Sequence, residues 1–154
     1  MDKINIEKFT SPTLIDGKRF VDDRGSLTFM NDLALNQFKR FYIVQNHRQG
    51  FIRAWHGHLK ESKLFFPLEG TIQVGVAKLD SKGQPDRAAN AVSYILDSST
   101  PAGLFIPAGF ANGSKSLTPK AKILILSTTT LEESKGDDFR LNYDEWNIWD
   151  EDFR

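Results

Sequence analysis

Cysteine is absent from the chain. Disulfide frameworks, Cys-ligated zinc and thiol nucleophiles are therefore excluded. Charge of one sign is lacking too: Lys plus Arg and Asp plus Glu number 20 each, for a formal net charge of zero. That balance gives no electrostatic reason to expect nucleic acid or an anionic membrane as partner. No apolar run approaches the roughly 18 residues that span a bilayer. The opening Met-Asp-Lys-Ile-Asn-Ile-Glu-Lys-Phe is charged and has no apolar stretch of a secretory signal. The expectation is a soluble, cytoplasmic protein. Helical periodicity is also scarce, and histidine occurs only at positions 47, 56 and 58.

What is present fits one folded unit. A chain of 154 residues can fill a single core without staples, and 40% hydrophobic with 26% charged residues is ordinary for such a domain. One domain over residues 1–154 is expected. Zero net charge offers little colloidal repulsion, which suits self-association. Short β-rich runs recur between turn residues: Ser26–Met30, Phe41–Gln45, Phe51–His58, Leu64–Leu68, Thr71–Leu79, Val92–Leu96, Gly103–Pro107 and Lys122–Thr129. In Thr71–Lys78, Ile72, Val74 and Val76 share one face, the pattern of a half-buried antiparallel strand. Only Asp32–Phe38 and Glu132–Phe139 read as short helical turns. The fold class is all-β, a sandwich or barrel. Trp146 and Trp149 are expected to pack a C-terminal extension, about residues 131–154, against the barrel or a partner subunit.

Two of the histidines lie in Arg53-Ala54-Trp55-His56-Gly57-His58. Residues two apart on a strand point the same way, so His56 and His58 project together. The bland reading is a polar strand end; the functional one is a reactive wall. Strict alternation places Arg53 and Trp55 on the other side. Arg53 joins the histidines only through a bulge or twist, expected near Gly57.

Gly50 and five intervening residues precede His56-Gly57-His58, which resembles the first motif of the cupins. Pro107-Ala108-Gly109-Phe110-Ala111-Asn112 resembles the second motif, with Asn112 where that family has a metal-ligating histidine. Glu61 follows His58 sooner than the family's glutamate does. An amide is a poor ligand for metals held by imidazole, so no metal and no cofactor are expected. The histidines then read as acid–base groups. The resemblance implies a double-stranded β-helix, or jelly-roll, barrel with short peripheral helical turns.

A narrower resemblance rests on four matches in order. They are Asp23-Arg24-Gly25, Arg53 through His56, Lys63-Leu64 with Gly70, and Ile106-Pro107-Ala108-Gly109-Phe110-Ala111. Together they resemble the sugar-nucleotide cupins, namely the dTDP-4-dehydrorhamnose 3,5-epimerases and the dTDP-sugar 3,4-ketoisomerases. This resemblance implies an isomerase of a nucleotide-linked 4-keto-6-deoxyhexose in deoxysugar or surface-polysaccharide synthesis. It implies His56, with His58, as the base and Lys63 as the group stabilising an enolate. It further implies Arg24, Arg53, Asn112 and Tyr42 on the substrate, and a homodimer that exchanges an N-terminal region of about residues 1–30. Lys39-Arg40-Phe41-Tyr42 and the second histidine lean toward the ketoisomerases.

Two departures keep the reaction open. The epimerases carry a tyrosine acid on the strand after the Ile-Pro-x-Gly motif, and Ile123–Thr130 contains none. No match is found for the carboxylate that orients the epimerase histidine. Epimerisation at C3 or C5 leads; 3,4-ketoisomerisation and sugar-nucleotide binding without turnover are the alternatives. A metal-dependent cupin using His56, His58 and Glu61 is a further one.

Overall fold

Alternating inward and outward side chains build two facing antiparallel sheets in the computed structural model, which describes residues 3–154. The strands are β1 (Thr13–Asp16), β2 (Lys18–Asp22), β3 (Gly25–Phe29), β4 (Arg40–Gln45), β5 (Ile52–His58) and β6 (Lys63–Glu69). They continue with β7 (Thr71–Lys78), β8 (Val92–Asp97), β9 (Ala102–Ile106), β10 (Phe110–Ser116), β11 (Lys122–Ser127) and β12 (Phe139–Arg140). One sheet runs β1-β9-β6-β11-β4 and the other β12-β5-β10-β7-β8, while β2 and β3 form a separate hairpin. Among the described residues there is one α-helix, α1, spanning Leu131–Ser134. No helix among the described residues is long and apolar enough to cross a membrane. Met1 and Asp2, the start of the region expected to exchange in a dimer, lie outside the described residues.

The expected runs all become strands, and the fold is the all-β jelly-roll architecture anticipated. The sequence reading omitted β1, β2, β10 and β12. Phe110–Ser116 carries few β-branched or large apolar residues, yet it pairs with β5 on one side and β7 on the other. Tertiary pairing overrides a weak local propensity there. The helical turns shrink to the 3₁₀ turn Leu35–Gln37 and to α1, and Phe139 joins a strand instead.

Between the sheets lies a core that includes Phe65, Ile72, Val74, Val76, Leu104 and Ile123. Residues of the N-terminal segment cover the outer face of the first sheet, with Ile6, Ile15 and Leu33 against Leu64 and Phe105. The C-terminal extension covers the second sheet's outer face, where Trp55 and Trp149 pack with Ala77, Leu79 and Ala111. Trp55 meets Trp146 edge-on at 5.0 Å and Trp149 at 5.1 Å between ring centroids. Both Trp55 and Trp149 donate their indole N–H to the Tyr143 carbonyl at 3.1 Å, so the rings are buried without an orphaned donor.

Two glycines make room for this seam. A Cβ on Gly75 would lie 2.6 Å from the Trp55 ring, and one on Gly113 would lie 2.6 Å from the Ala54 methyl and 3.0 Å from Trp149. Trp146 and Trp149 thus bind the extension to the barrel of their own chain. That docking carries residues 131–140 to one end of the space between the sheets.

Candidate active site

One wall of that space is built by β5 and β10. His56 and His58 point inward from β5, as the two-residue spacing requires. Arg53 lines the same cleft, although strict alternation along β5 would put it on the opposite face. The cause is a register shift: Arg53 pairs with Ser114 while His56 pairs with Asn112. β5 therefore has one more residue than β10 across that interval, and the bulge falls at Ala54-Trp55 rather than near Gly57. Ala54 and Trp55 both turn to the outer apolar seam, and Arg53 returns to the histidine side. Its guanidinium donates to Asn46 Oδ1 at 2.7 Å. Asn112 is buried beside His56 and lines the cleft.

The facing wall comes from β4, β6 and β11. The inward residues of β4 at the cleft are Arg40, Tyr42 and Val44; those of β6 are Lys63 and Phe65. Glu61, in the turn between β5 and β6, is 2% exposed and lies among cations. Its Oε2 accepts from Ser127 Oγ at 2.9 Å and from the Arg40 guanidinium at 3.4 Å, and Lys63 Nζ lies 3.8 Å away. Arg40 also donates to the Thr129 carbonyl at 3.0 Å. The Arg40 guanidinium and the Lys63 ammonium approach the Tyr42 ring at 5.3 and 6.0 Å. This wall is a charged, hydrogen-bonded unit, whereas the histidine wall carries imidazoles.

Burial divides the protonation states of the two walls. His56 is held down to about 4, first by burial and then by the charges of Arg140 and Lys63. Burial also lowers His58, with Lys63 adding to it and Glu61 opposing. Both imidazoles are therefore neutral at pH 7 and free to accept a proton. Tyr42 is pushed up to about 12 by burial and the Glu61 charge, so its phenol stays protonated. Burial lowers Lys63 below the ordinary lysine value, against the pull of Glu61. Proton acceptors thus stand on one wall and a protonated donor on the other.

His58 has a defined tautomer. Its Nδ1 lies 2.7 Å from the Asp137 carbonyl oxygen, which only accepts, so Nδ1 carries the hydrogen. Nε2 is left with a lone pair, buried and without a partner. Glu61 Oε1 is likewise buried and unpartnered. Among the described residues, no group of three or more His, Cys, Asp or Glu is arranged to hold a metal ion.

The C-terminal extension completes the cleft mouth with Leu131, Ser134, Lys135, Asp138 and Arg140. These residues escaped the sequence reading. β12 is only two residues long, too short to show alternation, yet it sets Arg140 opposite His56 on β5. Arg40 was legible in principle, because it alternates with Tyr42 and Val44 on β4. The cleft, open at its mouth, has a volume of about 480 Å³, within the usual range for a small-molecule site.

Arg24 is not among the residues lining this cleft. It stands at the turn of the β2–β3 hairpin, paired with Asp22 at 2.6 Å and fully solvated. The hairpin exposes Phe20, Val21 and Leu27 to solvent, each by more than 60%.

Comparison with known proteins places this geometry in a group. The family model described as WxcM-like, C-terminal (FdtA) matches residues 10–149. No curated protein matches the chain. Among solved structures, dTDP-4-dehydrorhamnose 3,5-epimerase from Bacillus anthracis, bound to TDP and PPi, is similar with a TM-score of 0.72 and 23% identity. That likeness covers 92% of this chain and 87% of the epimerase. A mutant of the 3,4-ketoisomerase QdtA from Thermoanaerobacterium thermosaccharolyticum, in complex with TDP-4-keto-6-deoxyglucose, aligns with a TM-score of 0.67 and 20% identity over 88% of this chain and 91% of that one. A 3,4-ketoisomerase from Helicobacter canadensis aligns with a TM-score of 0.66 and 23% identity over 87% and 92%. At these identities the structures establish a shared cupin fold, and the family match across most of the chain establishes membership: this protein belongs to the WxcM-like, C-terminal (FdtA) family.

Proposed function

We propose that the protein is an isomerase of a nucleotide-linked 4-keto-6-deoxyhexose, with dTDP as the nucleotide. One observation carries this reading: neutral imidazoles on β5 face a protonated phenol and a buried ammonium across a single cleft. A 4-keto sugar has acidified hydrogens at C3 and C5. His56 takes one of them, forming N–H as C–H breaks, and the electron pair moves onto the C4 oxygen. Lys63 stabilises the resulting enolate, and Tyr42 supplies the donor that the strand after the Ile-Pro-x-Gly motif lacks. The cleft is lined by Arg40, Arg53, Lys63, Lys135 and Arg140 against Glu61 and Asp138, a cationic surplus suited to a diphosphate. The related folds that hold TDP, or TDP-4-keto-6-deoxyglucose, support that choice of ligand.

Return of the proton to C3 or C5 from the other face gives epimerisation. A 3,4-ketoisomerisation is the second reading, favoured by His58: the protonated His56 can return its proton to C4, while the lone pair on His58 Nε2 takes the C3 hydroxyl proton and passes it to the C4 oxygen. The inward residues of β11 at Ile123, Ile125 and Ser127 include no acid that would add a second inverting donor. The working unit in this reading is a homodimer. Apolar exposure on the β2–β3 hairpin and at Phe41 and Ile43 of β4 supplies surface for the partner, and exchange of the N-terminal region would bring Arg24 to a partner's cleft. The reaction belongs to cytoplasmic deoxysugar or surface-polysaccharide synthesis.

The test is turnover of dTDP-4-keto-6-deoxyglucose in D₂O, followed by NMR. Deuterium at C3 or C5 with inversion identifies an epimerase; deuterium at C4 with a 3-keto product identifies the ketoisomerase. A thermal shift with nucleotide sugar, but no deuterium and no product with any nucleotide-linked ketosugar, would mean binding without catalysis. Light scattering tests the dimer, and a monomer at working concentration would exclude it.

A further inference from the structure

Asp137 touches the catalytic strand's end at four points, though it lies far away in sequence. Its side chain is buried, with the residue 2% exposed. Oδ1 accepts the Leu59 N–H at 2.7 Å; Oδ2 accepts the Lys60 and Glu61 N–H groups at 3.0 and 2.9 Å. The same residue's peptide carbonyl accepts the His58 Nδ1 hydrogen at 2.7 Å. One residue therefore grips the turn after β5 through its carboxylate and the imidazole before that turn through its backbone.

The chain path explains how it arrives there. α1 starts at a capping box, in which Thr130 and Glu133 each bond the other's backbone N–H. The helix ends within a turn, and the Asp137 N–H donates to the Ser134 carbonyl at 3.1 Å. β12 then pairs with β5, aligning Phe139 with Gly57 and Arg140 with His56. This pairing fixes the Asp137 backbone against His58.

We propose that Asp137 is a positioning residue: its carbonyl sets the tautomer of His58, and its carboxylate holds the 59–61 turn that presents Glu61. The claim about catalysis rests on the isomerase reading; the claim about the tautomer does not. The carbonyl fixes the Nδ1–H form, and the pull toward imidazolium from Glu61 Oε1, 3.8 Å from Nδ1, and from the Asp137 carboxylate is outweighed by burial and Lys63. His58 stays neutral with its lone pair on Nε2, which is buried and has no partner. The charged and titratable groups around it are Glu61 and Lys63 from the facing side, His56 on its own strand, and Asp137 itself. Arg40 acts at one remove, through Glu61.

Nitrogen-15 NMR of the imidazoles, with His58 assigned by His58→Gln, reads the tautomer directly and needs no substrate. In the unmodified protein His58 is expected as Nδ1–H, with Nε2 taking up a proton only below the free-imidazole value. Asp137→Asn puts an amide NH₂ against backbone N–H groups, so the grip loosens. The expected results are a mixture of tautomers and a His58 titration moved further down, because the Asp137 charge and its backbone bond both favour the protonated imidazole. With the sugar nucleotide, kcat should fall about tenfold to a hundredfold while KM changes less, and the acid limb of kcat should move down. A purely structural residue would lower the melting temperature and leave tautomer and titration alone, which overturns the proposal. Should Asp137→Asn not fold, hydrogen exchange in the unmodified protein decides: the Leu59, Lys60 and Glu61 amides must be protected, and loop-like exchange would contradict it. Turnover with an unmoved His58 defeats the positioning role alone. A responsive His58 with no ketosugar turned over defeats the isomerase reading alone.

Discussion

The two walls of the cleft solve opposite problems through the same effect, removal from water. On β5 and β10, removal from water and nearby cations strip His56 and His58 of their protons. On β4, β6 and β11, burial keeps Tyr42 protonated, and Glu61 offsets the cost of enclosing Lys63 and Arg40. Desolvation disfavours whichever form is charged, so it makes a base of an imidazole and an acid of a phenol. The difference lies in the residue types, and in the bonds of the Glu61 carboxylate, which go to Arg40 and Ser127 on one side.

The largest expected effect comes from removing the acceptor. His56→Ala should lower kcat/KM by about 10²–10⁴-fold in steady-state assays with the sugar nucleotide. A loss comparable to that of an ordinary surface substitution would end the assignment of His56 as base. On the opposing wall, Lys63→Met should lower kcat by about 10²–10³-fold, as loss of an oxyanion donor does. Glu61→Gln leaves Arg40 and Lys63 facing each other without their shared partner. It should reduce both stability and kcat, and an unchanged melting curve would show that the carboxylate is not the hub of that wall.

A smaller effect separates the walls by pH. For His56 the folded value, about 4, lies below the unfolded value of about 6.5, so the unfolded chain binds the extra proton between them. Its contribution to stability is present above about 6.5 and is lost as pH falls toward about 4. Tyr42 has the opposite sign: folded at about 12 against about 10 unfolded, it contributes below 10 and loses that contribution as pH rises toward 12. Chemical denaturation across pH should show both flanks. The acid flank should shrink in His56→Gln and the alkaline flank in Tyr42→Phe; the reverse assignment would contradict the comparison.

The smallest effect belongs to the mouth. Arg140→Ala removes a cation that faces His56 but is mostly solvated and paired with Asp138 at 3.0 Å. KM for the nucleotide sugar should rise severalfold and the acid limb should move up by less than one unit. Titration of kcat/KM checks both.

Much of this arrangement was legible in the chain. The two-residue spacing placed His56 and His58 on one face, and alternation on Thr71–Lys78 gave the correct inward set. Arg53 shows where periodicity stops. A single extra residue at Ala54-Trp55 reverses its side, and nothing local announces the bulge, since its cause is the outer tryptophan seam. The C-terminal contributions of Asp137, Asp138 and Arg140 were invisible for a related reason. They depend on a two-residue pairing made possible by the docking of Trp146 and Trp149. Glu61 stood out early as a displaced metal ligand; its neighbours Arg40, Lys63 and Ser127 make it a partner for cations instead.

The most direct test of opposed walls is deuterium exchange into dTDP-4-keto-6-deoxyglucose by Tyr42→Phe, compared with the unmodified protein and His56→Ala. With the base intact and the donor gone, Tyr42→Phe should still wash deuterium into recovered substrate while forming little product. His56→Ala should do neither. Exchange abolished equally in both variants, or full product formation by Tyr42→Phe, would contradict a base on β5 working against an acid on β4.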